Sequence, residues 1–288
     1  MVINMENRIF INPVTKEQEF SVSSDSFFDD LVFIEKNEIK TVSVGKTYFD
    51  WSKSYLLKNL KSITGVNFGE GTSNLLDLSF FSFLESISIN GTKGIVNFDG
   101  LHSLKKLFLI YQKGILNLNH LKKLVELQLN NCRDKKFNWH ENFCGLVNLE
   151  ILELTDCYLP SNLSFLEPLV NLKKLEIYLN PKPFHLQGLR QCEKLERLIL
   201  SQCPHLQKFE DIKSLKSLKW LRITDSGPLS DCSFVNSLPK LEVLIVTGKS
   251  YFLDGDLSPL VGKLKHISID NKKHYSHKMQ DFPSIFRK

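Results

Sequence analysis

Aliphatic residues return along this chain in the frame LxxLxL, as in Leu104-Lys-Lys-Leu107-Phe-Leu109, Leu149-Glu-Ile-Leu152-Glu-Leu154 and Leu218-Lys-Trp-Leu221-Arg-Ile223. Apolar and polar residues alternate within each frame, which predicts a short strand with one buried face. Eleven frames occur, anchored on Val42, Val66, Ile87, Leu107, Leu127, Leu152, Leu175, Leu198, Leu221, Leu244 and Ile267, at intervals of 24, 21, 20, 20, 25 and then 23 five times. Between frames the apolar period becomes three, as at Leu206, Phe209, Ile212, Leu215 and Leu218. That spacing suits 3₁₀ turns, short helical turns or extended segments, because an α-helix drifts off a three-residue repeat within two turns. One strand per 20 to 25 residues predicts a stacked solenoid, in which each turn buries its core only against its neighbours.

These residues resemble the leucine-rich repeat family, whose frame is LxxLxLxx(N/C)xx(L)xx(L)xx(L)xxLxx, over residues 36–271. The resemblance implies an α/β fold: a curved leucine-rich repeat solenoid of about eleven repeats, with a concave parallel β-sheet and a convex side of 3₁₀, short-helix and extended segments. The shorter units are similar to internalin-type repeats, and the cysteine-bearing turns to repeats of plant immune receptors and F-box proteins. Residues 1–35 are expected to form an N-terminal cap: a strand pair within Arg8–Ser23 that turns at Asn12-Pro13, then a short helix or strand carrying Phe27, Phe28, Leu31, Phe33 and Ile34. Residues 272–288 are expected to be a basic tail or C-terminal cover anchored by Phe282 and Ile285. Such covers are needed because a bare end turn exposes core and unpaired strand edge.

The chain departs from the frame in two ways. The position after each strand, Asn or Cys in the family, reads Thr47, Gly71, Thr92, Gln112, Cys132, Cys157, Asn180, Cys203, Ser226, Lys249 and Lys272. Burying lysine there is costly, so either the last two turns flare open or the register slips by one near Thr247 and Gly248. The 25-residue unit carrying Arg133–His140 is longer than its neighbours and is expected to bulge as a loop.

Strand alternation also separates the outward positions. The central outward column runs Ser43, Asn67, Ser88, Phe108, Gln128, Glu153, Glu176, Ile199, Arg222, Ile245 and Ser268. The column before each anchor runs Thr41, Gly65, Ser86, Lys106, Glu126, Ile151, Lys174, Arg197, Trp220, Val243 and His266. Early turns thus show small polar groups. Turns six to ten show Glu153, Glu176, Tyr178, Ile199, Trp220, Arg222, Val243 and Ile245, the aromatic, aliphatic and charged mixture of an interface anchor. Phe108 and Tyr111 form a smaller feature in the fourth turn. Glu126, Glu153, Asp156, Glu176 and Asp225 are read as an acidic component of the same face that would favour a basic partner.

Composition narrows the function classes. The chain has 288 residues, 42% hydrophobic and 24% charged, which fits a folded protein. Its formal charge of +5 resides mostly in the tail, where Lys272, Lys273, Lys278, Arg287 and Lys288 face only Asp281. The nearly neutral body argues against nucleic-acid binding. Hydropathy predicts no membrane span, and the N-terminal residues do not read as a leader, so a cytoplasmic location is expected, with leaderless secretion as the alternative. Of six cysteines, Cys132, Cys157 and Cys203 each fall three residues after the last aliphatic of a frame and are expected inside as reduced thiols. Phosphate-loop, dinucleotide, zinc-protease and serine-hydrolase motifs are absent, and His274 with His277 lacks partner ligands in sequence. No enzyme activity, cofactor or metal is therefore expected. The expected function is a non-catalytic module, monomeric alone, that binds a partner protein on the concave face of repeats six to ten. The alternatives are a substrate-recognition subunit of a ubiquitin-ligase-like assembly, a toxin-neutralising immunity protein and a secreted effector. A glycan receptor would call for an export signal and disulfide-stapled caps.

Overall fold

The computed structural model describes residues 5–12, 18–23, 25–44, 57, 59–60, 62–69, 76–91, 95–111 and 114–283. Two compact units divide the chain, Met1–Leu127 and Gln128–Lys288. The first contains β1 (Ile9–Ile11), β2 (Gln18–Val22), α1 (Phe27–Lys36), β3 (Thr41–Val44), β4 (Gly65–Phe68), β5 (Leu76–Asp77), β6 (Ser86–Ile89), β7 (Val96–Asn97), β8 (Lys106–Ile110) and β9 (Ile115–Leu116). β1 and β2 pair antiparallel, with Ile9 opposite Phe20, and β2 then runs parallel to β3. From β3 the parallel series continues through β4, β6 and β8, which places Val42, Val66, Ile87 and Leu107 side by side. All four anchors are buried. On the return side β5, β7 and β9 form a small parallel sheet of their own.

The first segment of this unit is held by a buried ion pair. The Arg8 guanidinium grips Asp30 of α1 through both carboxylate oxygens at 2.6 Å, while Asp30 is fully buried. Ser26 Oγ and the Ser23 backbone N–H also donate to Asp30, at 2.9 and 2.8 Å, and Arg8 lies over the Phe20 ring at 4.8 Å. A buried charge is tolerable because its lone pairs are filled this way. Of the expected cap features, Pro13 lies outside the described residues. Thr47, Gly71, Thr92, Gln112 and Ile285 do so as well.

The unit boundary falls within β10 (Glu126–Asn130). Beyond it come α2 (Trp139–Phe143), β11 (Ile151–Thr155), β12 (Lys174–Tyr178), β13 (Phe184–His185), β14 (Arg197–Ser201), β15 (Leu206–Gln207), β16 (Trp220–Thr224), β17 (Val243–Thr247) and β18 (His266–Ile269). β11, β12, β14, β16, β17 and β18 pair in parallel, so that Leu152, Leu175, Leu198, Leu221, Leu244 and Ile267 form one unbroken row. A second row, Leu154, Ile177, Leu200, Ile223, Val246 and Ile269, lies beside it, and every member of both rows is buried. The returns are 3₁₀ turns at Ser164–Leu166, Leu189–Gln191, Phe209–Ser214, Ser233–Ser237 and Ser258–Leu260, as the three-residue period predicts.

The long unit is more than a loop. Asn138 caps α2 by accepting the Glu141 backbone N–H at 3.2 Å, and the helix buries Trp139 against Phe143 and Phe165. The extra residues thus enlarge the core of that turn.

Inside the turns, polar groups serve the backbone. Cys157 Sγ donates to the Leu129 carbonyl and Cys203 Sγ to that of Ile177. Ser226 Oγ accepts the Cys203 N–H at 3.2 Å, and the Ser226 N–H in turn donates to Ser250 Oγ at 2.8 Å. The ladder therefore passes from Ser226 to Ser250 and skips Lys249, which stays exposed. The strand register is unaffected, with Val243 opposite His266 and Val246 opposite Ile269. The extra residue is taken up after β17 by Gly248, whose φ of +70° suits glycine and whose N–H donates to Asp270 at 2.6 Å. Of the two outcomes expected at Lys249, the register slip does not occur in the strands; only the ladder position after β17 moves by one, from Lys249 to Ser250. At the far end Tyr275 and Phe282 are buried, and Tyr275 Oη accepts the Phe252 N–H at 2.9 Å.

Burial pushes the thiol of Cys203 up to about 11 and those of Cys157, Cys192 and Cys232 up to about 12. Cys132 is shifted upward for the same reason, whereas Cys144 is exposed. A chromogenic disulfide reagent is thus expected to titrate one of the six thiols in the native protein and all of them after unfolding. Replacing Ser226 by Ala strands the buried Cys203 N–H, and is expected to destabilise the fold by about 1–3 kcal/mol in chemical denaturation.

Candidate binding surface

The outward face of β11–β17 is organised around Glu176. This carboxylate is buried, with 6% of its surface exposed, although its position points away from the core. Lys174 lies 3.0 Å from it and 2.6 Å from Glu153, and Arg197 Nε approaches at 3.3 Å. Tyr178 donates its hydroxyl to the remaining oxygen at 2.8 Å. Parallel pairing produces this convergence, since Glu153, Glu176 and Ile199 are direct neighbours on successive strands, as are Lys174 and Arg197. Two carboxylates at strand spacing would repel, and the ammonium of Lys174 between them removes that penalty. Burial lowers the Lys174 pKa, but the hydrogen bonds that its ammonium donates to Glu153 and Glu176 outweigh it and leave the pKa raised. The Tyr178 phenol is pushed up to about 12, first by burial and then by the Glu176 hydrogen bond.

Beside this network stands an aromatic and aliphatic patch. The Arg197 guanidinium stacks 4.7 Å above the Trp220 ring, which leaves Trp220 half-buried on the open face. Val243 is the neighbour of Trp220 on the next strand, and Ile245 is the neighbour of Arg222. Val243 and Ile245 are partly exposed and Arg222 is exposed. Arg222 Nε donates to Thr224 Oγ1 at 3.1 Å, which lays the side chain along its own strand.

Several sequence expectations are changed by these positions. Ile199 occupies an outward slot yet is only 2% exposed, because longer side chains flank it; it forms part of the floor. Glu176 is likewise an internal strut of the face. Phe108 and Tyr111 belong to the first unit, on and just after β8, and the other eight candidates belong to the second. Four of the five residues of the acidic component are withdrawn from it. Glu153 and Glu176 are paired with Lys174, while Asp156 and Asp225 leave the strand face by adopting left-handed backbone at φ +56° and +51°.

Those two aspartates reveal a feature that the frame does not encode. Asn131, Asp156, Leu179, Gln202, Asp225 and Gly248 each follow a strand with positive φ. The first five pass their N–H to the strand end of the next turn, as from Asp156 to Tyr178 O at 2.9 Å. Asn, Asp and Gly at this spacing signal the conformation, but Leu179 and Gln202 hide it. The turn edge carries an open groove of about 600 Å³ lined by Leu179, Pro181, Pro204, Lys249 and the Arg133–Asp156 ion pair. Among the described residues no three His, Cys, Asp or Glu side chains converge to hold a metal, and no helix is long and apolar enough to cross a membrane.

Comparison with solved structures bears on this arrangement of strand, inward ladder and 3₁₀ return. TLR13, solved as its complex with ssRNA13, matches with a TM-score of 0.64 and 21% identity over 82% of this chain and 36% of its own. A leucine-rich repeat protein of Leptospira interrogans matches with a TM-score of 0.58 and 17% identity over 81% of this chain and 62% of its own. This chain folds as a leucine-rich repeat protein. It spans about a third of the length of TLR13 and 62% of the Leptospira protein. An internalin of Listeria monocytogenes, InlF, aligns over 80% of this chain and 75% of its own at 15% identity and a TM-score of 0.48. No protein-family model and no curated protein matches the sequence.

Replacing Glu176 by Ala removes the acceptor of Tyr178 and the carboxylate that pairs with Lys174 and Arg197. The expected cost is about 2 kcal/mol, less than for a fully buried pair because Lys174 and Arg197 keep contact with water. Denaturant titration measures that loss, and difference titration against a Tyr178→Phe control is expected to show the Tyr178 phenol ionising at lower pH.

Proposed function

We propose that this leucine-rich repeat protein is a non-catalytic recognition module that holds a partner protein on the open face of β11–β17. The observation that carries the reading is the half-exposed Trp220, fixed by Arg197 and flanked by Arg222, Val243 and Ile245 on a rigid sheet. A large aromatic already ordered before binding loses little entropy on contact, which is the property of interface anchors. Glu153, Glu176, Lys174 and Tyr178 support it from one side by fixing the neighbouring strands' outward groups. In the same reading residues 1–35 act as the N-terminal cap, 36–271 as the repeat body and 272–288 as the basic cover. The module works as a monomer in a reducing, cytoplasmic setting, where the buried thiols serve as hydrogen-bond donors.

The fold's likeness to TLR13, solved with ssRNA13, raises nucleic acid as a second ligand class. Against it, Lys174 and Arg197 are occupied by carboxylates, so the face lacks the run of free cations that phosphate binding requires.

The test is affinity capture from the native source, followed by binding measurements on the captured partner with folded Trp220→Ala and Ile245→Ala variants. Trp220→Ala is expected to weaken binding by about 2 kcal/mol or more, roughly thirtyfold, and Ile245→Ala by less. Unchanged affinity in both variants would refute this placement.

A further inference from the structure

The two outward residues of β16, Trp220 and Arg222, each retain hydrogen-bond donors without acceptors. They alternate along one strand and so share its face. Trp220 Nε1 is shielded from water and has no acceptor in the folded chain. Arg222 spends only its Nε, on Thr224, and presents the terminal nitrogens of an exposed guanidinium with no carboxylate partner among the described residues. The other cations of the face differ. Lys174 is engaged by Glu153 and Glu176, and Arg197 by Glu176 and the Trp220 ring. Both outward carboxylates of β11 and β12 are thereby used internally. One positive charge is left over, and it sits beside the apolar pair Val243 and Ile245.

We infer that the partner presents an acidic, aliphatic protein segment: a carboxylate that receives the Arg222 guanidinium, next to an apolar side chain seated against Trp220, Val243 and Ile245. This deepens the proposed use of the face and rests on it. The inference reverses the polarity that the sequence suggests, because counting Glu126, Glu153, Asp156, Glu176 and Asp225 as free acids predicts a basic partner. Arginine suits the role, since its planar fork matches a carboxylate in two parallel hydrogen bonds. Ile245 stands directly beside Arg222 at strand spacing, so acidic and aliphatic residues close together in the partner meet their counterparts at once.

The test pans a random dodecapeptide phage library on the full-length chain and repeats the selection on Arg222→Glu. Arg222 is exposed, so the variant is expected to fold, and circular dichroism checks this. The expected ligands carry Asp or Glu next to Leu, Ile or Val. Their synthetic peptides are expected to lose about tenfold or more in affinity on Arg222→Glu, and the variant's own selection is expected to turn to Lys and Arg. Basic ligands, acidic ligands indifferent to Arg222, or an empty selection would each overturn the inference. Ligands indifferent to Trp220→Ala and Ile245→Ala as well would bring down the use of the face itself. A homopolymeric single-stranded RNA bound in an Arg222-dependent manner would replace the protein segment by a phosphate ligand and also overturn it.

Discussion

Every turn of this chain depends on being in register with the next. The two inward aliphatics of a frame, such as Leu175 and Ile177, have no core within their own turn and are covered only because Leu152 and Leu154 lie on one side and Leu198 and Leu200 on the other. Each fully buried side chain of this kind contributes about 1.5–3 kcal/mol, and the rows repeat that gain strand after strand. A slip by one residue would turn every inward side chain to water. The polar ladder guards the same register. The passage from Ser226 to Ser250 shows which constraint is dominant: an extra residue is looped out at Gly248 and Lys249, while both the strand pairing and the buried N–H contact are kept.

Because the inward positions are committed, chemical variety is confined to the outward ones, where rigid strands at fixed spacing decide which groups meet. Glu176 illustrates the result. It sits on the open face, yet Lys174, Arg197 and Tyr178 close around it until it is nearly as hidden as the core. The network supports the surface from below and neutralises charges that would otherwise stand free on it. What is left on top is Trp220 with Arg222, Val243 and Ile245, a small apolar field with one unpaired cation.

Much of the fold was legible before any coordinates, since period-two alternation and period-three returns have few physical solutions. The inward rows and the inward Cys132, Cys157 and Cys203 follow from spacing, whereas spacing left the returns open among 3₁₀, short helical and extended segments, and it did not single out the buried Cys192 and Cys232. The candidate surface was legible only as a set of outward positions. Exposure at those positions was not, because it depends on neighbours 23 residues away: Ile199 is covered and Arg222 is bare, although both occupy the same column. The helix that buries Trp139 was hidden too, since a short polar stretch with a single cap signal reads as a loop.

Sequence by itself determined the repeat, the anchors and the direction in which each side chain leaves its strand, because these follow from local geometry and the cost of exposing apolar surface. Only the tertiary structure decided which charges cancel, which outward residues remain accessible and where the ladder skips a lysine. Those outcomes come from side chains on different turns competing for the same few ångströms, a competition that no single repeat contains.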